Sequence, residues 1–210
     1  MAQDEKRRQK ALLKKRRKDK ERKKESNASN IFGPDSYSYK AGLIKKAKQF
    51  PIYECLANGD WQGKGLAHIL LSRKQPNNEL IIGVFLVDIY CLGIKNTFCN
   101  GNISLEEYEK LKFRMSQESS FITCDPGLAN RIIYGAVEYA RKLGFEPQKD
   151  FKLSSFILDE PSDADLLFDV EFGKDGKPLY IAGPNDNVKH VMKQLSKNVG
   201  EGNFHYLLPV

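Results

Sequence analysis

The spacing of apolar residues between positions 39 and 90 predicts one helix followed by three strands. Leu43, Ile44 and Ala47 recur at helical spacing, and this helix ends before Pro51 because the residue preceding a proline disfavours helical backbone angles. A polar turn at 76–78 separates the second and third strands, which predicts an antiparallel hairpin. The predicted elements are a helix at 39–50 and strands at 52–57, 67–74 and 79–90.

The next two elements are helices with clear end signals. Ser104 is a predicted N-cap with Glu107 at the capping-box position, and this helix runs to about residue 117. The second helix begins after Asp125, which is the predicted cap, and Gly144 closes its C-terminus. The strand before these helices, 79–90, is apolar on both faces, which is typical of an interior strand covered on both sides.

The last third of the chain has shorter segments. The predicted elements are a short helix at 152–158, strands at 166–172 and 179–182 around a turn at 173–178, a helix at 186–199 and a final strand at 204–210. Strands grouped before helices indicate an α+β fold. We therefore expect a single globular domain with a mostly antiparallel sheet and flanking helices, preceded by a basic helical or disordered N-terminal arm. The predicted division is 1–30 for the arm and hinge and 31–210 for the domain.

Charge separates these two parts. The 210-residue chain has a formal net charge of +7, but 1–25 alone holds thirteen Lys and Arg against five Asp and Glu, a charge of +8. Residues 26–210 are therefore almost neutral, with a charge of −1. The arm is rich in residues that favour helices, but a helix of this sequence has no apolar face with which to pack. We therefore expect the arm to be frayed or disordered when it is alone.

The arm is predicted to bind polyanions. Several cations on one segment contact several phosphates, which gives salt-dependent and sequence-independent affinity. The predicted nucleic-acid-binding residues are Lys6, Arg7, Arg8, Lys10, Lys14, Lys15, Arg16, Arg17, Lys18, Lys20, Arg22, Lys23 and Lys24, together with Lys64 of the domain. The alternatives are another anionic partner, a tail that aids solubility, and a nuclear-import signal in a eukaryotic host.

Several classes of protein are disfavoured by composition. We expect no membrane span and no secretory signal, because no apolar run is long enough and the basic start is not followed by an apolar segment. The cysteines and histidines show no zinc-binding spacing, so we expect no metal and no cofactor. A cytoplasmic location follows, or a nuclear one if the host is eukaryotic or the protein is delivered to a host cell. The cysteines are Cys55, Cys91, Cys99 and Cys124, and we expect free thiols.

Two carboxylates lie within otherwise apolar strands. Asp88 interrupts the third strand and Glu54 interrupts the first, and a buried carboxylate needs a partner, hydrogen bonds or a metal ion. If the two strands were adjacent, these residues would form a Mg²⁺ site for phosphodiester cleavage. The alternative is that Asp88 marks a strand end or accepts hydrogen bonds from a loop. His68 is a third weak catalytic candidate, as a general base, against the simpler interpretation of a packed or surface histidine.

A glycine-rich loop at 58–65 is the other candidate site. Its glycines allow backbone N–H groups to approach a phosphate, Lys64 adds a charge, and Trp61 is a candidate for base stacking. The alternative is an ordinary turn with the tryptophan packed beneath it. The surrounding stretch 40–75 carries a charge of +5 and the stretch 151–171 a charge of −5. One hypothesis is that the acidic loop at 159–165 folds back on the arm when nucleic acid is absent.

The leading prediction is a nucleic-acid-binding accessory protein whose arm contacts RNA or a ribosome, with DNA as the alternative nucleic acid. The first alternative is a metal-dependent phosphodiesterase or nuclease with Glu54 and Asp88 as metal ligands. The second is a protein–protein adaptor with a solubilising or targeting tail. Sequence alone leaves open whether the chain is an enzyme, what its substrate is and in what oligomeric state it exists.

Overall fold

The computed structural model describes residues 37–208, with side chains from residue 39. These residues divide after Gly42 into two units, and the domain described below is formed by 43–208. The first helix, α1 (Tyr37–Lys45), spans this division. The basic arm, the hinge and the predicted domain boundary after residue 30 lie outside the described residues.

The elements that follow α1 match most of the predicted order. They are β1 (Ile52–Asn58), α2 (Trp61–Lys64), β2 (Leu66–Lys74), β3 (Leu80–Asp88), β4 (Gly93–Ile103), α3 (Leu105–Ser116), β5 (Phe121–Thr123), α4 (Pro126–Lys142), α5 (Phe151–Ser154), β6 (Leu179–Ile181), α6 (Val188–Asn198) and β7 (His205–Leu207). Three short 3₁₀ helices, Ala47–Gln49, Ser155–Ile157 and Asp163–Leu167, connect them.

The centre of the domain is a five-stranded antiparallel sheet with the order β4-β3-β2-β1-β5. The predicted hairpin is confirmed, since β2 and β3 pair without interruption from Leu66 opposite Asp88 to Lys74 opposite Leu80. As its apolar faces predicted, β3 is an interior strand between β2 and β4. The α+β class with a mostly antiparallel sheet and flanking helices is therefore confirmed.

Helices cover both faces of this sheet, and strand alternation decides which residues meet which helix. On one face, Ile69 of β2 and Phe85 of β3 belong to the same buried cluster as Ile132 of α4. On the other face, Leu70 of β2 forms a separate buried cluster with Tyr108 of α3. Successive residues on a strand thus serve two different cores, which explains the continuous apolar runs in the sequence.

The ends of α3 and α4 are fixed by the predicted caps. The backbone N–H of Glu107 donates to Oγ of Ser104 at 3.2 Å, and the N–H of Ser104 donates to Oε2 of Glu107 at 2.9 Å, which completes a capping box. At the start of α4, the N–H of Gly127 donates to Oδ1 of Asp125 at 2.8 Å. Both caps were readable in the sequence because each depends on contacts between residues two or three positions apart.

The strand β4 was absent from the sequence prediction. Asparagines and glycines interrupt residues 93–103, so the segment lacks a regular alternation of apolar and polar positions. Pairing with β3 nevertheless holds it extended, with irregularities of register at Leu80/Ile82 and Leu86/Val87. Tertiary pairing here outweighs a weak intrinsic strand preference.

The strand predicted at 166–172 was wrong. The segment begins within the 3₁₀ helix Asp163–Leu167 and continues without regular structure, and Phe168, Val170 and Phe172 are apolar because they pack on the α4 side of the sheet. The predicted hairpin with 179–182 is therefore replaced by a different pairing, in which β6 pairs in parallel with β7. The strand predicted at the C-terminus is confirmed by β7.

Among the described residues, none of the helices has both the length and the apolar character required to cross a bilayer.

Candidate functional site

Glu54 lies under α3, where it is held by two side chains. The hydroxyl of Tyr108 donates to Oε2 of Glu54 at 2.7 Å, and Nζ of Lys112 lies 3.0 Å from the same oxygen. Ser72, opposite Glu54 in the sheet, donates through its hydroxyl to the oxygen of Tyr108 at 3.1 Å. The carboxylate thus has a neutral donor and a cation, which together account for its position in an apolar strand.

Asp88 ends β3 and organises the turn that follows. Its Oδ1 accepts the backbone N–H of Tyr90 at 2.9 Å and that of Cys91 at 3.0 Å. The carboxyl group is buried, and burial raises its pKa to about 6, although these backbone donors and Lys95 act in the opposite direction. These two hydrogen bonds agree with the alternative interpretation of Asp88, in which its carboxylate accepts hydrogen bonds from a loop at the end of the strand.

The two carboxylates do not come together. Glu54 is opposite Ser72, which is opposite Ile82, whereas Asp88 lies six residues farther along β3. At the rise of an extended strand this separation is about 20 Å. The shared metal site expected for adjacent strands is thus not formed, because β2 lies between β1 and β3 and the two carboxylates are far apart along their strands. Within 37–208, no group of three or more His, Cys, Asp or Glu side chains is arranged to hold a metal ion.

The glycine-rich loop forms the short helix α2 rather than an open phosphate nest. Trp61 is buried, so its ring packs beneath the loop as the turn interpretation predicted and is not presented for base stacking. Nζ of Lys64 lies 2.5 Å from Oδ2 of Asp60, one helical turn earlier. Because this local pair offsets the charge of Lys64, the support for phosphate binding at this residue is reduced.

A polar network fixes the start of this loop. The side-chain amide of Asn58 donates to Asp60 Oδ1 at 2.7 Å and to the carbonyl of Leu66 at 3.1 Å, and its oxygen accepts the N–H of His68. His68 is half-buried, and burial lowers the pKa of its imidazole although Glu118 and Asp60 act in the opposite direction. A lowered pKa favours the neutral ring, which is the form that a general base requires, so the role predicted for His68 stays a prediction.

Part of the basic stretch at 40–75 is bound to the acidic segment. The buried Arg73 guanidinium donates to the carbonyls of Ile157 and Phe50 at 2.7 and 2.9 Å, and its Nη2 lies 2.5 Å from Oδ1 of Asp159. The next acidic residue, Glu160, pairs with Lys48. These cations stabilise the domain internally, so they do not form the free basic face that charge counting suggested.

Hydrogen bonds within the acidic loop at 159–165 also stabilise its own conformation. Oδ2 of Asp165 accepts the N–H of Ser162 at 3.1 Å, and Oδ1 accepts the Ser162 hydroxyl at 3.1 Å, within the 3₁₀ helix Asp163–Leu167. Asp159 and Asp165 are thus engaged by the domain. Glu160 and Asp163 remain more exposed, so they are the better positions at which to test a contact with the arm.

A free basic surface lies on α6. Lys189, Lys193 and Lys197 are exposed at successive four-residue intervals, and they form no ion pair with any residue in 37–208. Along a helix this places three cations over about 12 Å. Two hydrogen bonds attach α6 to the end of α4: Asn198 donates to the carbonyl of Leu143 at 2.9 Å, and Gln194 donates to that of Gly144 at 3.1 Å.

An apolar surface beside α3 was missed by sequence reasoning. Two cavities of about 750 and 620 Å³ flank the helix, and Phe113 is shared between their walls. The side chains of Phe113 and Phe98 are 68% and 52% exposed, which is unusual for phenylalanine. The only signal in the sequence was Phe113 on the polar side of α3, whereas Phe98 lies on the strand that was not predicted.

The thirteen arm residues predicted to bind nucleic acid lie outside the described residues, so this prediction stays a prediction. Comparison with known protein families, with curated proteins and with solved structures finds no match for the chain.

Proposed function

We propose that this chain is a nucleic-acid-binding accessory protein that contacts RNA or a ribosome, with the basic arm as its principal phosphate-binding element. DNA is the alternative polyanion, and a cytoplasmic location belongs to the same proposal. The observation that carries it is the charge of +8 over residues 1–25, beside a domain that is almost neutral. A segment of this kind binds through counterion release and requires no folded pocket.

The surface of α6 supports the proposal from within the domain. Its three exposed lysines have no anionic partner among the described residues, in contrast to Lys48, Lys64 and Arg73. Phosphate groups of a nucleic acid would interact with these lysines, and such contacts limit how the domain is oriented on its partner. Sequence reading is not part of the proposal, because the arm contains no aromatic residue for base stacking.

The test is salt-dependent binding by the full-length chain. A labelled RNA hairpin and a DNA duplex of the same sequence are titrated by fluorescence anisotropy between roughly 50 and 200 mM salt. Three double variants each remove two cations: Lys14→Gln/Lys15→Gln in the arm, Lys189→Gln/Lys193→Gln on α6, and Lys149→Gln/Lys152→Gln as the exposed control. All three variants carry the same net charge, so differences in their affinities show the effect of where the two removed lysines lie.

The arm variant is expected to weaken binding and to reduce the slope of log K against log salt by about 0.7–0.9 for each phosphate that the protein no longer neutralises. The α6 variant should show a smaller effect and the control pair none. A salt-independent affinity, or equal weakening in all three variants, would contradict the proposal. Co-sedimentation with ribosomes at low salt and release at high salt would separate ribosome binding from binding to free RNA.

The surface beside α3 favours a protein–protein adaptor as the second candidate. Phe98 and Phe113 are exposed next to two apolar-walled cavities, and exposed apolar surface of this kind is typical of protein contacts. A photo-crosslinking residue at position 113 is compared with one at position 167, where Leu167 is 86% exposed but lines neither cavity. A discrete protein adduct at 113 alone would favour the adaptor, whereas equal adducts at both positions would contradict it.

The phosphodiesterase alternative loses its structural basis. It required Glu54 and Asp88 to share a site, and the register of the sheet holds them about 20 Å apart. Each carboxylate also has hydrogen-bond donors that account for its position in an apolar strand.

A further inference from the structure

Cys55 and Cys124 lie directly opposite each other across the β1–β5 pair. The recorded register runs from Asn58 opposite Phe121 to Leu56 opposite Thr123, and one step beyond it Cys55 and Cys124 are opposite each other. The backbone N–H of Cys124 donates to the carbonyl of Cys55 at 2.9 Å, which makes this a hydrogen-bonded position of the ladder. The two Cα atoms of such a pair are about 5.5 Å apart, within the range that a disulfide spans.

The side chains also face the same way. Both cysteines belong to the buried cluster between the sheet and α4, and their exposed fractions are 4% and 6%. The two side chains therefore project from neighbouring strands into the same buried space, and their interaction raises the pKa of Cys55 and lowers that of Cys124. Cys91 and Cys99 have no such neighbour: Cys99 lies opposite Gly83, and Cys91 belongs to a different cluster.

The two sulfur atoms have unequal environments. Cys124 precedes Asp125, the cap of α4, and its thiol donates to the carbonyl of Asp125 at 3.4 Å. The interaction with Cys55 lowers the pKa of Cys124, although burial and the carboxylate of Asp125 act in the opposite direction. The same contact and burial raise the pKa of Cys55. Cys124 follows the edge strand β5, whereas Cys55 lies within β1, so Cys124 is the thiol that an incoming electrophile meets first.

We propose that Cys55 and Cys124 are a reversible redox site that forms an intramolecular disulfide on reaction with a hydroperoxide. The burial of both sulfur atoms favours a small oxidant over a bulky one such as glutathione disulfide. Access is through β5, an edge strand of three residues, whose separation from β1 breaks few backbone hydrogen bonds. This site is independent of the proposed nucleic-acid binding.

The reaction balances in two steps. The thiolate of Cys124 attacks one oxygen of the hydroperoxide, the O–O bond breaks, and the other oxygen leaves as an alcohol or water with the proton released by Cys124. Sulfur of Cys55 then attacks the resulting sulfenic acid, the S–O bond breaks, and water leaves with the proton of the Cys55 thiol. Two thiols lose two electrons in total, and the hydroperoxide is reduced.

The test is oxidation of the full-length native protein with graded hydrogen peroxide. Remaining thiols are alkylated after denaturation without reductant, and the products are identified by mass spectrometry. Expected are the loss of two hydrogen atoms from the intact mass, a cross-link between the tryptic peptides 49–64 and 115–131, and reversal by dithiothreitol. Cys99, which is half-buried and has no neighbouring cysteine, should stay a thiol at the lowest effective peroxide concentration.

Two variants sharpen the result. Cys99→Ser should still form the cross-link, whereas Cys55→Ser should stop at oxidised Cys124 without a disulfide. The wild-type protein decides the outcome even if a variant folds poorly. Oxidation of Cys99 before any 55–124 cross-link, or a cross-link through Cys91 or Cys99, would overturn the proposal.

Discussion

The hydroxyl of Tyr108 lies 2.7 Å from Oε2 of Glu54 and joins α3 to the first strand of the sheet. Tyr108 is fully buried, and its ring packs edge-on against Tyr53. The same hydroxyl accepts a hydrogen bond from Ser72. Glu54 is therefore part of the attachment of α3, which explains a carboxylate that by sequence alone was a candidate metal ligand.

Removal of this hydroxyl tests the attachment. Tyr108→Phe deprives Glu54 of its neutral donor and leaves the Ser72 hydroxyl only the carbonyl of Glu54 as acceptor, so we expect the free energy of unfolding to fall by about 1–3 kcal/mol. The measurement is urea denaturation followed by circular dichroism. Tyr53→Phe is the matched control, because Tyr53 is 43% exposed, and its change should stay below about 0.5 kcal/mol. Similar destabilisation by both variants would argue against the network.

The contact between Arg73 and the acidic segment gives a second prediction. Asp159→Asn leaves the buried guanidinium without its carboxylate, and we expect destabilisation of about 1–3 kcal/mol, since Asp159 is itself about half exposed. Glu160→Gln removes the same charge one residue later at an 81% exposed side chain, and about 0.5 kcal/mol or less is expected. Thermal unfolding of both variants provides the comparison, and equal shifts would show that net charge rather than the buried contact decides stability.

Asp88 predicts a dependence of stability on pH. Its pKa is raised to about 6 in the folded protein, so the folded state holds this proton more tightly than the unfolded state. Its stabilising contribution is complete below the ordinary pKa of 3.8 and is lost as pH rises through about 6. The full difference corresponds to roughly 3 kcal/mol. Asp88→Asn keeps an oxygen for the N–H groups of Tyr90 and Cys91 and cannot ionise.

The measurement for Asp88 is the free energy of unfolding between pH 4 and 7. The free energy of unfolding of Asp88→Asn should increase, relative to that of the wild-type protein, as the pH rises. Parallel pH profiles for the two proteins would show that Asp88 does not change its ionisation on unfolding in this range.

Gly65 supplies a steric prediction with a nearby control. Its φ of +69° is in the left-handed region, and an added Cβ would lie 2.0 Å from the ring of Tyr90. Gly65→Ala should therefore destabilise the fold by about 2–5 kcal/mol. At Gly63, within α2, an added Cβ meets nothing within 4 Å, so Gly63→Ala should be neutral or slightly stabilising. Differential scanning calorimetry distinguishes the two, and a neutral Gly65→Ala would contradict this packing.

The sequence predicted correctly those features of the fold that depend on residues close together along the chain. The capping box at Ser104, the cap at Asp125 and the β2–β3 hairpin were readable because their partners lie close along the chain. The strand β4 and the misassigned segment 166–172 show the limit of local pattern, since in both cases a distant partner decides the conformation.

The candidate sites followed the same rule. The sequence identified Glu54 and Asp88 correctly as carboxylates that need partners, but only the register of the strands decides which partners they have. Cys55 and Cys124 were interpreted as separate free thiols, because nothing in the sequence predicted the strand Phe121–Thr123 that brings them together. Charge counting identified the arm, but it could not show that cations such as Arg73 are bound to the acidic segment within the domain.

The strand order also has a consequence for how the chain folds. β2, β3 and β4 are consecutive in sequence and adjacent in space, so their pairing closes short loops and is expected early. β5 joins β1 only after the chain has passed through β2, β3, β4 and α3, which makes its addition the entropically costly closing step. During synthesis, the central hairpins would therefore leave the ribosome before β5 has paired with β1. During that interval β1 has an unpaired edge that a neighbouring nascent chain can occupy.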